Sequence, residues 1–229
     1  MATRRIFVDL SPLRRFRSFR RLWLGQLVSQ LGSALTTVAV PYQVYRLTGS
    51  SFDVGMVSLV QLGPLLVGSL LGGSIADAFD RRRVLLGSQL ALAGCSAGLA
   101  LNAMGGHPVL WPLFAFPAVS AGLSGLDQST RTAAMVSLVD AEALVSANAL
   151  RQLLLTVSLV TGPAAAGLIL ARFGAVAVYW IDVASFAAAM VAVLGLPPLR
   201  PAGGGTRAGL TSMVEGLRYL RRRQAVQGT

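Results

Sequence analysis

The chain contains no lysine, one cysteine and one histidine, and only 13% of its 229 residues are charged. Each shortage removes a class of function. Cys95 alone cannot form an internal disulfide, and it has no neighbours at metal-ligand spacing. No phosphate-cradling loop of the G-x-x-x-x-G-K-S/T type occurs, so no nucleotide, cofactor or metal is expected. Soluble domains carry about 25% charged residues. The deficit here, with 54% hydrophobic residues and a mean hydropathy of +0.64, identifies a membrane protein. The net charge of +11 does not point to a nucleic acid, because all 20 basic residues are arginines placed beside apolar runs, without the interleaved aromatics on which bases stack.

The apolar residues fall into six runs, at 22–45, 54–78, 84–104, 109–126, 153–170 and 175–196, each near the 20 or so residues that cross a hydrocarbon core. Residues 1–21 form an arginine-rich cytoplasmic leader, too long in its following run and too poor in cleavage signals to be a signal peptide. The six-span bundle covers 22–196. Residues 197–229 begin with a Pro- and Gly-rich linker and continue as a basic amphipathic helix, with Leu210, Met213, Val214, Leu217 and Leu220 at helical spacing. Between the fourth and fifth runs, 127–151 is too polar to span, and its apolar patch at 133–139 is expected to lie on the surface or in a loop. Six spans put both ends on one side. Eighteen of the 20 arginines fall on that side, with only Arg46 and Arg172 opposite, so both termini are expected to be cytoplasmic.

Polar residues inside the runs are the candidate sites. Gln26 and Gln30, four apart, share a helical face that should meet other helices or a cavity. Asp182 is the one acid well inside a span; it is either a coupling or substrate-facing acid, or it sits nearer the outer interface if the span begins later. Gly87, Gly94 and Gly98 are spaced for close helix packing, and Pro41 and Pro64 mark candidate kinks. His107 reads as a solvated turn residue and Cys95 as core.

Between the second and third runs lies a charged bridge containing Gly73, Asp77, Asp80, Arg81, Arg82 and Arg83. Asp77 falls at the last turn of a helix, where unsatisfied carbonyls make the end partially negative, so it needs a nearby cation or the positive end of another helix. Gly73, one turn earlier, would let such a helix approach closely. The arginines by themselves fit a simple cytoplasmic anchor.

This bridge resembles the signature loop of the major facilitator superfamily, G-x-x-x-D-R/K-x-G-R-R/K, at Gly73, Asp77, Arg81 and Arg82; Ala78 and Asp80 depart from it, and Asp80 reads as the N-cap of the third helix. Gly162, Pro163 and Gly167 are similar to the G-P-x-x-G-G signature of the family's exporters, with Ala166 replacing the first closing glycine. Stretches beginning at Asp9, Asn148, Asp182 and Glu215 resemble the branch that includes the bacterial enterobactin exporter. The resemblance implies an all-α membrane protein, with six transmembrane helices arranged as two inverted three-helix repeats, one half of a major-facilitator fold. It implies that Asp77 and Arg81 lock the cytoplasmic face against a second half, and that Gly162, Pro163 and Gly167 set helix packing.

The function expected is secondary transport: a proton-coupled exporter working by alternating access, with an apolar or amphiphilic small molecule as substrate and the lipid bilayer as its setting. A missing C-terminal half or a second copy would supply the other side of the pathway. A non-transporting fragment is the alternative. A second alternative is an intramembrane serine protease, because Gly122, Ser124 and Gly125 follow a G-x-S-G pattern, although the only histidine available as a base is His107.

Overall fold

The computed structural model describes residues 9–200, which are helical with no strand. The first arginines of the leader and the amphipathic helix expected over 210–220 lie outside the described residues. Six α-helices occur among the described residues: α1 Ser11–Arg15, α2 Arg17–Thr48, α3 Ser51–Ala78, α4 Arg81–Met104, α5 Pro112–Leu138 and α6 Leu144–Leu194, with a single 3-10 turn at Ala141–Ala143 before α6.

Local chemistry places the breaks. Gly49, at φ 67°, ends α2 in the left-handed conformation that costs glycine no steric clash, and the Ser50 hydroxyl then accepts from the Asp53 amide to start α3. Asp80 caps α4 through the Arg82 amide, and Pro112 opens α5, where a missing N–H is harmless. Gly174, at φ 73°, divides α6 into two arms, 144–173 and 175–194. Pro41, Pro64, Pro117 and Pro163 lie inside helices that continue through them, as membrane helices allow when neighbouring groups satisfy the freed carbonyl.

The helix α5 corrects one expectation. Residues 133–139 form no separate surface segment, because α5 runs on to Leu138 and buries Ala134 and Met135. Its polar residues do not stop it: Asp127 and Arg131 pair one turn apart and both face inward. Arg131 is therefore a buried helix residue and not a loop anchor. Two boundaries also move. The helix α2 starts at Arg17, inside the stretch read as leader, and α6 starts at Leu144, ahead of the apolar run at 153.

In the packed molecule α2 lies along α6 and α3 along α5, with α4 against both α5 and α6. The α3–α5 crossing is glycine on glycine. A Cβ at Gly68 would collide with the Gly122 carbonyl, and one at Gly125 would lie 2.7 Å from the Ser69 amide nitrogen. Among the glycines of α4 only Gly98 is in close contact, against Phe116, while Gly87 and Gly94 face open space, so the packing expected of those two is not made.

One core cluster gathers Leu35, Ala39, Val44, Leu99, Leu113, Ala166 and Tyr179; a second gathers Leu22, Leu85, Ala134, Val193, Leu196 and Leu199. Three helical stretches among the described residues are long and apolar enough to cross a membrane, Ser51–Ala78, Arg81–Met104 and Ala141–Leu194. The helix α3 is apolar nearly all round and buries only Val57, Gly72 and Ala76, as a helix does when its surroundings are also apolar. Outside the bundle, Asp9 takes hydrogen bonds from the Ser11 hydroxyl and amide and from Ser146, which hold its carboxyl below its ordinary pKa.

Candidate functional site

One face of α2 carries Gln26, Ser29, Gln30, Ser33, Thr36 and Thr37, a polar stripe at three- and four-residue spacing that runs from buried Gln26 to exposed Thr37. A cavity of about 420 Å³ opens beside it, lined by Ser33, Thr36, Gln61, Ser96, Ser120 and Asp182, with apolar walls from Leu65, Leu92 and Phe186. Two neighbouring cavities of about 370 Å³ each share Ser33 and Thr37 with it. The first adds Gln30, Gln152, Thr156 and Pro163; the second adds Ser29, Gln30, Gln89, Asp127 and Gln128. The result is a trough along α2, rich in hydroxyls and amides. Among the described residues no arginine lines any of the three cavities.

Asp182 lines the first of these cavities and is only 2% exposed. Its Oδ2 accepts from the Ser96 hydroxyl at 2.6 Å and the Thr36 hydroxyl at 2.9 Å, and its Oδ1 from Ser33 at 3.4 Å, while the Ser185 hydroxyl, 3.4 Å from Oδ1, donates to the Asp182 backbone carbonyl at 2.7 Å. Among the described residues no arginine pairs with it. The hydroxyls of Ser33, Thr36 and Ser96 suit such a group, because each can donate to a carboxylate or accept from a carboxylic acid. Gly32 makes the approach possible, since a Cβ there would lie 2.8 Å from Asp182 Oδ1. Of the two glutamines, Gln30 lines the trough, whereas Gln26 is buried, its amide nitrogen without a partner among the described residues.

A second buried polar group escaped the sequence reading. Asp127 accepts from Ser88 at 2.8 Å, from Gln89 at 3.0 Å and from the Arg131 Nε one turn along α5. Arg131 is 2% exposed, and its two terminal nitrogens have no partner among the described residues. Its signal in the sequence is a pair of opposite charges four residues apart, inside a stretch whose polarity reads as a connection.

The signature residues lie away from the trough. Gly73 faces open space, and Asp77 is largely exposed, 3.9 Å from Arg81. Arg81 binds the Ala76 carbonyl at 3.2 Å and the Ser137 hydroxyl on α5. Asp80 and Arg82 turn toward the segment leaving α6. In the exporter-like motif, Gly162 packs against Ala34 of α2 and Ala166 is fully buried, while Gly167 opens to space. The protease reading assembles nothing: His107 is exposed in the loop before α5, whereas Ser124 is twelve residues into that helix, about 18 Å along its axis. Gly122 and Gly125 serve the crossing with α3 instead.

Comparison with known proteins follows the same lines. The family model described as transmembrane secretion effector matches residues 8–228. Enterobactin exporters from Shigella boydii serotype 18, Shigella flexneri and Escherichia coli O157:H7 are each 31% identical to this chain over 216 residues, 93% of its length. The match takes in 51% or 52% of those proteins, so the chain spans about half the length of the curated relatives it matches.

Proposed function

We propose, because this chain belongs to the transmembrane secretion effector family of major facilitator transporters, that it forms the amino-terminal six-helix half of a small-molecule exporter. The six spans are α2, α3, α4, α5 and the two arms of α6, read as two inverted three-helix repeats. They lie in the inner membrane with both termini on the cytoplasmic side, an orientation supported by the arginine distribution. The trough is half of the central pathway. Its other wall comes from a second six-helix unit, either further chain or a second copy, which rocks against this one to expose the trough to each side in turn.

Asp182 carries this reading. A buried carboxylate held by the hydroxyls of Ser33, Thr36 and Ser96, with no cation beside it among the described residues, is costly unless it serves a purpose, and proton coupling is the purpose that fits a group satisfied in both protonation states. The apolar walls and the absence of a lining arginine favour an amphiphilic substrate that is neutral or cationic. Asp77 and Arg81 act as the cytoplasmic gate, since the exposed carboxylate and the open face at Gly73 leave room for a helix of the second unit.

The test is transport in inverted membrane vesicles containing this chain together with its second six-helix unit, whether further chain or a second copy, with the aromatic amphiphile Hoechst 33342 as probe and an imposed proton gradient as the driving force. Gradient-dependent accumulation, abolished by an uncoupler, is expected. Equal dye content with and without the gradient contradicts the reading.

A further inference from the structure

We propose that Asp80 is a positioning residue that ties the segment leaving α6, residues 194–199, to the signature stretch at the start of α4, so that the two move as one body. The last carbonyls of a helix lack intrahelical partners and form its negative end. At the end of α6 they are met by arginines from two other helices: the Arg82 Nη2 donates to the Leu194 carbonyl at 2.7 Å, and Arg21 donates to the Gly195 carbonyl. The chain then folds under the bundle. Leu196 and Leu199 are 3% and 6% exposed, in a cluster with Leu22, Leu85, Ala134 and Val193, while the two prolines between them face outward.

Leu199 closes the arrangement with a pair of hydrogen bonds. Its amide donates to Asp80 Oδ1 at 3.1 Å, and its carbonyl accepts from the Arg81 amide at 3.2 Å. The same Asp80 oxygen also accepts from the Arg82 amide at 3.0 Å, so one atom both starts α4 and holds Leu199. The family pattern has glycine here, which offers no side-chain acceptor for either bond. The departure at Asp80 is thus a gain of a tether. This assignment stands on the contacts alone and is independent of whether the trough transports anything.

Amide hydrogen exchange on the full chain in detergent micelles tests it. In Asp80→Gly, exchange at Leu199 and Arg81 should rise by about tenfold or more, as expected when a local contact opens, with the interior of α4 and all of α2 unchanged. Asp80→Asn keeps an acceptor oxygen and should preserve the protection. Because Asp80→Gly also removes the cap, Leu199→Pro provides a separate variant: it deletes the donor to Asp80, and exchange at Arg81 should rise while the Arg82 amide stays protected. Unchanged exchange at Leu199 in Asp80→Gly, or at Arg81 in Leu199→Pro, overturns the proposal. So does equal loss of protection in the Asn and Gly variants.

Discussion

At Asp182 the decisive fact is the company it keeps. A buried carboxylate usually answers to an arginine or lysine, and this one answers to Ser33, Thr36 and Ser96. Asp182→Asn preserves size and most hydrogen bonds but cannot exchange a proton. Gradient-driven dye transport is expected to fall by about tenfold or more, and the residual rate to lose its pH dependence. Asp127 is a different kind of buried acid, with Arg131 beside it. Asp127→Asn leaves a guanidinium uncompensated in the interior, which should destabilise the protein by about 3–5 kcal/mol, read as a lower denaturation midpoint in detergent. Replacing both partners together, Asp127→Leu with Arg131→Met, should recover most of that loss. A double variant no more stable than Asp127→Asn would mean that the pair does more than neutralise itself.

At the scale of elements, glycine contacts decide how closely helices can lie. Gly68 on α3 faces the Gly122 carbonyl of α5, so Gly68→Ala must push the two helices apart, at a cost of about 1–3 kcal/mol. Gly94→Ala, which points into open space, should leave the midpoint unchanged or slightly raised, since alanine is the better helix former. The apolar runs made the helices and their order legible in the sequence. They could not show which glycines touch, because Gly68, Gly94 and Gly98 look alike in a run, and only the crossing partner distinguishes them. The misread fourth connection has a physical cause as well. Charged residues count against a span when taken singly, but Asp127 and Arg131 cancel one turn apart, and α5 continues through them. For the site, Gln30 and Asp182 were visible as polar residues in apolar runs. The hydroxyls that surround Asp182 were not, because single serines and threonines are ordinary in membrane helices and converge only once α2, α4 and α6 are packed together.

For the whole molecule, the proposed topology makes a sidedness prediction. In a Cys95→Ala background, a cysteine replacing His107, which is exposed in the loop between α4 and α5, should react with a membrane-impermeant thiol reagent added outside intact cells. Labelling only after lysis would reverse the orientation inferred from the arginines. The route itself is tested most directly at Thr37, whose side chain borders all three cavities. In the same Cys95→Ala background, Thr37→Cys should react with a small water-soluble thiosulfonate, and saturating Hoechst 33342 should slow that reaction. A cysteine at Leu168, 71% exposed on an apolar surface, should stay unreactive with or without dye. If Thr37→Cys reacts no faster than Leu168→Cys, or reacts at a rate the dye does not change, the trough is not the path of the transported molecule.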